Sequence, residues 1–225
     1  LALADDALVA AQRLTEWVAR APEIEEDVAI ANIGLDLLGQ ARLLLSRAGA
    51  RMTPPRTEDD LAYFRDEREF RNAQLVERPI ADFAVLIVRL LLLSGYQLER
   101  YRGLLDSRDA TVAAVAAKAV KEVAYHRDHA RTWTLRLGDG TTESRRRMVA
   151  ALEGEWPYLA ELLADLADPD AALGWITGVL DEAGLAVPDV RDAVTGGRSG
   201  VHTEAMGYLL AELQHLARSH PGATW

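Results

Sequence analysis

The stretch "KEVAYHRDH" at 121–129 sets His126 four residues after Glu122 and three after Val123. Bundle proteins that hold two iron ions take paired ligands from Glu-x-x-His, one helical turn apart on an inward-facing helix. Here Val123 stands where that glutamate belongs, and Glu122 comes one residue early. A helix advances about 100° per residue, so Val112, Ala116, Ala119, Val123, His126, Ala130 and Trp133 share one face. His126 is therefore expected to point inward, with Glu122 on a neighbouring line about 40° away. The same placement suits a hydrogen-bonded core histidine. His129 falls to one side, interfacial or solvated.

A second helix repeats the pattern with further losses. "NIGLDLLGQARLLL" is apolar nearly all round except for Asn32, Asp36 and Gln40, spaced by four. Asp36 and Gln40 repeat the spacing of Glu122 and His126, as an internal repeat of helix pairs would. In that register Leu37 replaces the glutamate and Gln40 the histidine. Iron requires oxygen or nitrogen lone pairs, which Leu37 and Val123 lack. Glu16 and either Gln97 or Glu99 could supply single ligands from two more helices, although Glu16 shares a polar stripe with Gln12 and Arg20 and suits a salt-bridged surface. Glu16, Asp36, Gln40, Glu122 and His126 thus form a degenerate set, from which neither a metal site nor a catalytic residue is expected. A carboxamide such as Gln40 can instead join a structural hydrogen-bond network with Asp36, Glu122 and His126.

The elements that must position these residues read as helices near 4–20, 23–48, 58–72, 81–107, 109–137, 142–165, 170–184 and 202–218. Pro22 can open the second, with Glu23, Glu25, Glu26 and Asp27 at the positive end of its dipole, and Gly49 marks its end. "RMTPPRT", "VERP", "LGDGTTE" and "ADPD" are helix stops and turns. "VTGGRSGVH" is the most flexible stretch by composition. The fold expected is all-α: a four-helix bundle built from the first, second, fourth and fifth helices, with additional helices outside, in one domain over 1–225.

With 49% apolar and 27% charged residues the chain has the composition of a globular protein. A net charge of −10 disfavours nucleic acid and anionic membranes as partners. "ESRRRM" could still hold an anion, or be a solvated helix face. The absence of cysteine excludes disulfides, thiolate metal sites and cysteine nucleophiles. "LALADDALVAAQRL" has no secretory pattern, and cytoplasm is the expected location. The longest apolar run, "FAVLIVRLLLLSGY", is broken by Arg89, is too short to span a bilayer and reads as a buried helix. No Gly-x-Ser-x-Gly, phosphate loop or dinucleotide fingerprint is present.

"PEIEEDVAIANIGLDLLGQARLLL", "DDLAYFRDEREFRNAQLVERP", "AAKAVKEVAYHRDHARTWTLRLGDGTTES" and "WPYLAELL" together resemble the PaaC-type structural subunits of bacterial phenylacetyl-CoA 1,2-epoxidases, from about residue 4 to beyond 215. The resemblance implies a ferritin-like bundle that carries no cofactor and scaffolds a homologous catalytic subunit holding the di-iron centre. It further implies a reductase and accessory subunits that together form an NADPH- and O2-dependent monooxygenase of aerobic phenylacetate catabolism. The matching "RDEREFRN" segment, Arg65, Asp66, Glu67, Arg68, Glu69, Phe70, Arg71 and Asn72, anchored by Phe64 and Phe70, is expected near the subunit interface, or else to be an ordinary amphipathic surface helix.

The leading expectation is a non-catalytic scaffold with a large apolar contact surface, able to form a homodimer when isolated. Two other readings stand beside it: an active di-iron oxidase with unusual ligands Glu16, Asp36, Glu122 and His126, and a helical adaptor for an unrelated protein.

Overall fold

The computed structural model describes residues 1–190 and 192–223. Among them all regular structure is helical, in keeping with an all-α, ferritin-like fold. The chain divides into two compact units, Leu1–Pro79 with Gly196–Trp225, and Ile80–Thr195. The four long helices expected for a bundle are present as two packed pairs, one in each unit.

In the first unit, α1 (Ala2–Thr15) packs along α2 (Ile24–Gly49). The expected helix over 4–20 stops five residues early. Ala19 adopts φ +71°, and the Asp27 carboxylate accepts the Ala19 and Ala21 N–H groups at 2.9 and 3.0 Å, which fixes a tight turn where another helical turn was expected. The acidic first turn of α2 begins after Glu23, leaving Pro22 outside the helix. By length and composition α2 could cross a membrane, but Ile30, Ile33, Leu37 and Leu45 are buried within this chain.

The expected helix over 58–72 breaks into α3 (Glu58–Tyr63) and a single 3-10 turn (Glu67–Glu69), and α4 (Gln74–Glu77) follows. Thr57 and Asp60 cap the start of α3 reciprocally. At its end Arg65 turns inward: its guanidinium donates to the Leu61 carbonyl and to Asp5 of α1, contacts that a continuous surface helix would not offer.

In the second unit, α5 (Phe83–Arg102) starts at Asp82, whose carboxylate accepts the Val85 N–H at 2.9 Å, and α6 (Ala110–Gly138) starts at Asp109. These two helices form the pair. α5 ends five residues before 107 because 103–107 closes in tight turns, including Ser107 N–H to the Leu104 carbonyl. Arg89, the charge inside the apolar run, is buried and donates to Glu155 at 2.9 Å. The expected helix over 142–165 is broken at Trp156–Pro157, where proline supplies no N–H. It yields α7 (Thr142–Glu155), a 3-10 turn (Trp156–Tyr158) and α8 (Leu159–Leu163); α9 (Pro169–Glu182) follows. The chain then returns to the first unit, where α10 (Glu204–Ser219) packs on α3 and α4.

Candidate functional site

His126 is buried on α6 in line with Ala119, Val123, Ala130 and Trp133, as the periodicity predicts. Val123 is 0% and Leu37 1% exposed, so the two positions that would carry glutamates are filled by buried hydrocarbon. On α2, Gln40 is buried and Asp36 half-buried. Glu122 is ion-paired with Lys118 one turn back. Asp36 and Gln40 thus lie in the first unit, and Glu122 and His126 in the second.

The remaining candidate carboxylates are likewise held by cations. Glu16, just past the end of α1, accepts two hydrogen bonds from Arg13 at 2.9 and 3.1 Å. Glu99 accepts from Arg102 at 2.9 Å and Arg127 at 3.2 Å. Arg127 also lies over the Trp175 ring, and burial pushes its guanidinium pKa below the usual value, against the opposing pull of Glu99. Gln97 and Ser94, both buried on α5, leave Nε2 and Oγ without partners. Amide and hydroxyl groups suit water better than oxidised iron. No three His, Asp or Glu side chains among the described residues form a group able to hold a metal ion. The donor set does not fit a di-iron centre.

The "ESRRRM" arginines have a different use from an external anion. Arg146 and Arg147 both bond Glu143, lowering its carboxyl pKa to about 2, with the Arg146 hydrogen bond the larger cause. Arg145 donates to the Gly138 carbonyl at 3.0 Å and to that of Gly184.

The expected interface segment is divided between interior and surface. Arg65, Phe70 and Asn72 are buried, and Glu67 and Arg71 half-buried, leaving Phe64, Asp66, Arg68 and Glu69 exposed. The buried members support the fold of the chain itself, which removes Arg65, Phe70 and Asn72 as contact residues for a partner.

Around them lies a polar cluster that sequence reasoning missed. Asp5 and Asp6, adjacent on α1, are both 0% exposed. Arg65 grips Asp5 with two bonds, the longer at 3.0 Å, and the Arg71 N–H adds a third at 2.9 Å. Arg198 grips Asp6 with two bonds at 2.7 Å, and the Ala73 N–H adds another. Glu77 accepts from Asn72 at 2.8 Å and from the Thr203 N–H, and meets His202 Nδ1 at 2.7 Å. Burial works against a charged His202, but the hydrogen bond and charge of Glu77 prevail and raise its pKa above the ordinary histidine value. The available signal was two consecutive acids within the apolar run "LALADDALVAA", which are costly to bury unless paired.

The 194–202 segment carrying Arg198 and His202 is the stretch read as flexible. It is instead a tight turn. A Cβ on Gly197 would come 2.1 Å from the Asn72 carbonyl oxygen, and one on Gly200, at φ +80°, would come 2.3 Å from that of Arg68.

Comparison with known proteins adds two findings. The profile of a family described as "Phenylacetic acid catabolic protein" matches residues 1–179 and 173–225. A subunit of the 1,2-phenylacetyl-CoA epoxidase of Escherichia coli (strain K12) is 43% identical over 242 residues, covering 100% of this chain and 97% of that protein.

Proposed function

Since the chain belongs to the phenylacetic acid catabolic protein family, we propose that it is the non-catalytic structural subunit of a phenylacetyl-CoA 1,2-epoxidase. It scaffolds a homologous subunit that holds the di-iron centre and performs the oxygen chemistry, with electrons delivered from NADPH through a reductase. The complex works in the cytoplasm, in aerobic phenylacetate breakdown. The observation that carries this reading is the complete burial of Leu37 and Val123 in the ligand register. Changing a carboxylate to a hydrocarbon removes the lone pairs that bind iron while filling the core, so the helix pairs are kept and the metal is not. The other carboxylates support it, because Glu16, Glu99 and Glu122 each balance a neighbouring cation.

The alternative of an oxidase with unusual ligands would require Glu16 and Glu122 to leave Arg13 and Lys118. The test is iron content of the purified chain after anaerobic Fe(II) loading and gel filtration, beside binding to the catalytic subunit. Near-zero iron with tight binding is expected. About two irons per chain would overturn the scaffold reading in favour of an oxidase, and iron-free chain without affinity for the catalytic subunit would favour an unrelated adaptor.

A further inference from the structure

The chain over 196–203 crosses the segment between Arg68 and Glu77 in two parts that are held differently. Up to Gly200 it is fixed. Arg198 holds Asp6 with two bonds at 2.7 Å and donates to the Arg71 carbonyl, while the backbone at Gly197 and Gly200 lies against the carbonyls of Asn72 and Arg68. Beyond Gly200 the hold is narrower. Gln74 donates to the Val201 carbonyl at 2.8 Å, and Glu77 takes both His202 and the Thr203 N–H. No apolar side chain helps, because Val201 is 60% exposed and the next buried one is Met206, in the first turn of α10. A stretch held by polar contacts alone is the kind that opens without the rest of the fold.

His202 carries the charge of that hold. Its side chain is 0% exposed, as is that of Glu77. Nδ1 meets the Glu77 carboxylate at 2.7 Å and Nε2 meets the Phe70 carbonyl at 3.3 Å. A carboxylate and a carbonyl both accept hydrogen bonds and donate none. A neutral imidazole, with one N–H, would therefore turn a bare lone pair toward one of these oxygens; the imidazolium satisfies both. The charges around it are Glu77 on α4, Glu67 on the 3-10 turn, Arg71, which shares the Phe70 carbonyl at 2.7 Å, and Glu204 next along the chain. From α1 come Arg13, which donates to the Glu77 and Ala205 carbonyls and pairs with Glu16, and Asp6, which pairs with Arg198. Imidazole is the side-chain type among these that ordinarily titrates near neutrality. Burial opposes its charge, but the bond and charge of Glu77 prevail and the folded pKa lies above the ordinary value.

We propose that 201–203 is a proton-operated catch on α10: protonated His202 holds the start of the helix against Glu77, and loss of its proton lets 201–205 open while the turn at 196–200 and the rest of the chain stay folded. The catch is closed below the ordinary histidine value of about 6.5 and loosens as pH rises toward the folded value, because in that window only the open form gives up its proton. Neither iron nor a partner enters it, so it stands apart from the scaffold reading.

The chain has no cysteine, so Thr203→Cys introduces a single thiol. The Thr203 hydroxyl is buried, has no partner among the described residues and makes no cap bond to α10, so the exchange removes no hydrogen bond. The rate at which a thiol reagent labels T203C, divided at each pH by its rate on the urea-unfolded chain, reports opening free of the thiol's own titration. That ratio is expected to rise between pH 6 and 9, by up to about tenfold per unit at its steepest, and to be level when T203C is combined with His202→Gln. In the native chain, hydrogen exchange read as protection factors should show the Thr203 amide losing protection over the same range while the amides of α2 keep theirs. A level T203C ratio overturns the proposal, and so does a slope that H202Q leaves in place, which would assign the proton to another group. Constant protection at Thr203, or a parallel loss in α2 that marks unfolding of more than the catch, overturns it without any variant.

Discussion

His126 on α6 and the Asp5–Asp6 pair on α1 are both polar groups set into apolar helices, but their surroundings differ. Around His126 the flanking inward positions are Ala119, Val123 and Ala130, and on α5 the orphaned Gln97 and Ser94 atoms show a core whose polar groups are incompletely matched. Around Asp5 and Asp6, the chain over 65–77 and 198–203 converges with its cations and N–H groups, and each carboxylate accepts at least three hydrogen bonds. The first region has the spacing of a reactive site with little of its chemistry. The second has a high density of charge at positions that no catalytic motif describes. Buried charge that is fully paired within one chain serves architecture, because each partner is fixed by the other and neither is free to meet a substrate.

The largest test of this contrast is to break one buried pair. Asp5→Asn or Arg65→Ala should destabilise the chain by about 3–5 kcal/mol in urea unfolding, since the surviving charge is left buried and unpaired. A loss below about 1 kcal/mol would remove the distinction between the two regions. His126→Leu is expected to cost less, about 1–3 kcal/mol, the range for one buried polar group whose partner is left behind, with iron content unchanged. A fall in bound iron in that variant would make His126 a working ligand.

His202 sharpens the comparison through pH. Its pKa is raised in the folded chain, so its contribution is fully present below the unfolded value of about 6.5 and is lost as pH rises through the higher folded value. Thermal unfolding from pH 6 to 9 should show a decline that His202→Gln flattens; parallel profiles would show that the Glu77 contact carries no charge. The smallest effect belongs to Glu143, on an exposed helix face. Its protonation midpoint should lie near 2 by NMR, and its contribution should fade only as pH drops from the ordinary carboxylate range toward that value. Glu143→Gln should leave the unfolding temperature unchanged at pH 7, because exposed pairs contribute little.

Much of the frame was legible in the sequence because its signals are local. Gly49 ends α2, and the line through His126 emerges as one inward stripe. The losses at Leu37 and Val123 were legible for the same reason, since register needs only counting. Arg65 and Arg198 were not, because their partners lie 60 and 192 residues away and no period links them. The glycines of 196–200 misled because composition records their freedom in the unfolded chain. What the fold uses is their missing side chain, where the backbone passes against the carbonyls of Asn72 and Arg68.

The division of the first unit between the two ends of the chain bears on how the molecule is made. Asp6 and Glu77 are synthesised early, but Arg198 and His202 emerge only after all of Ile80–Thr195. During translation the second unit has all its own contacts in hand while the first waits, its acids still hydrated and α3 and α4 not yet covered by α10. A segment made only after the whole second unit thus decides when the first part of the chain becomes native, and a ribosome that stops short of Arg198 leaves the Asp6 and Glu77 carboxylates without two of their partners.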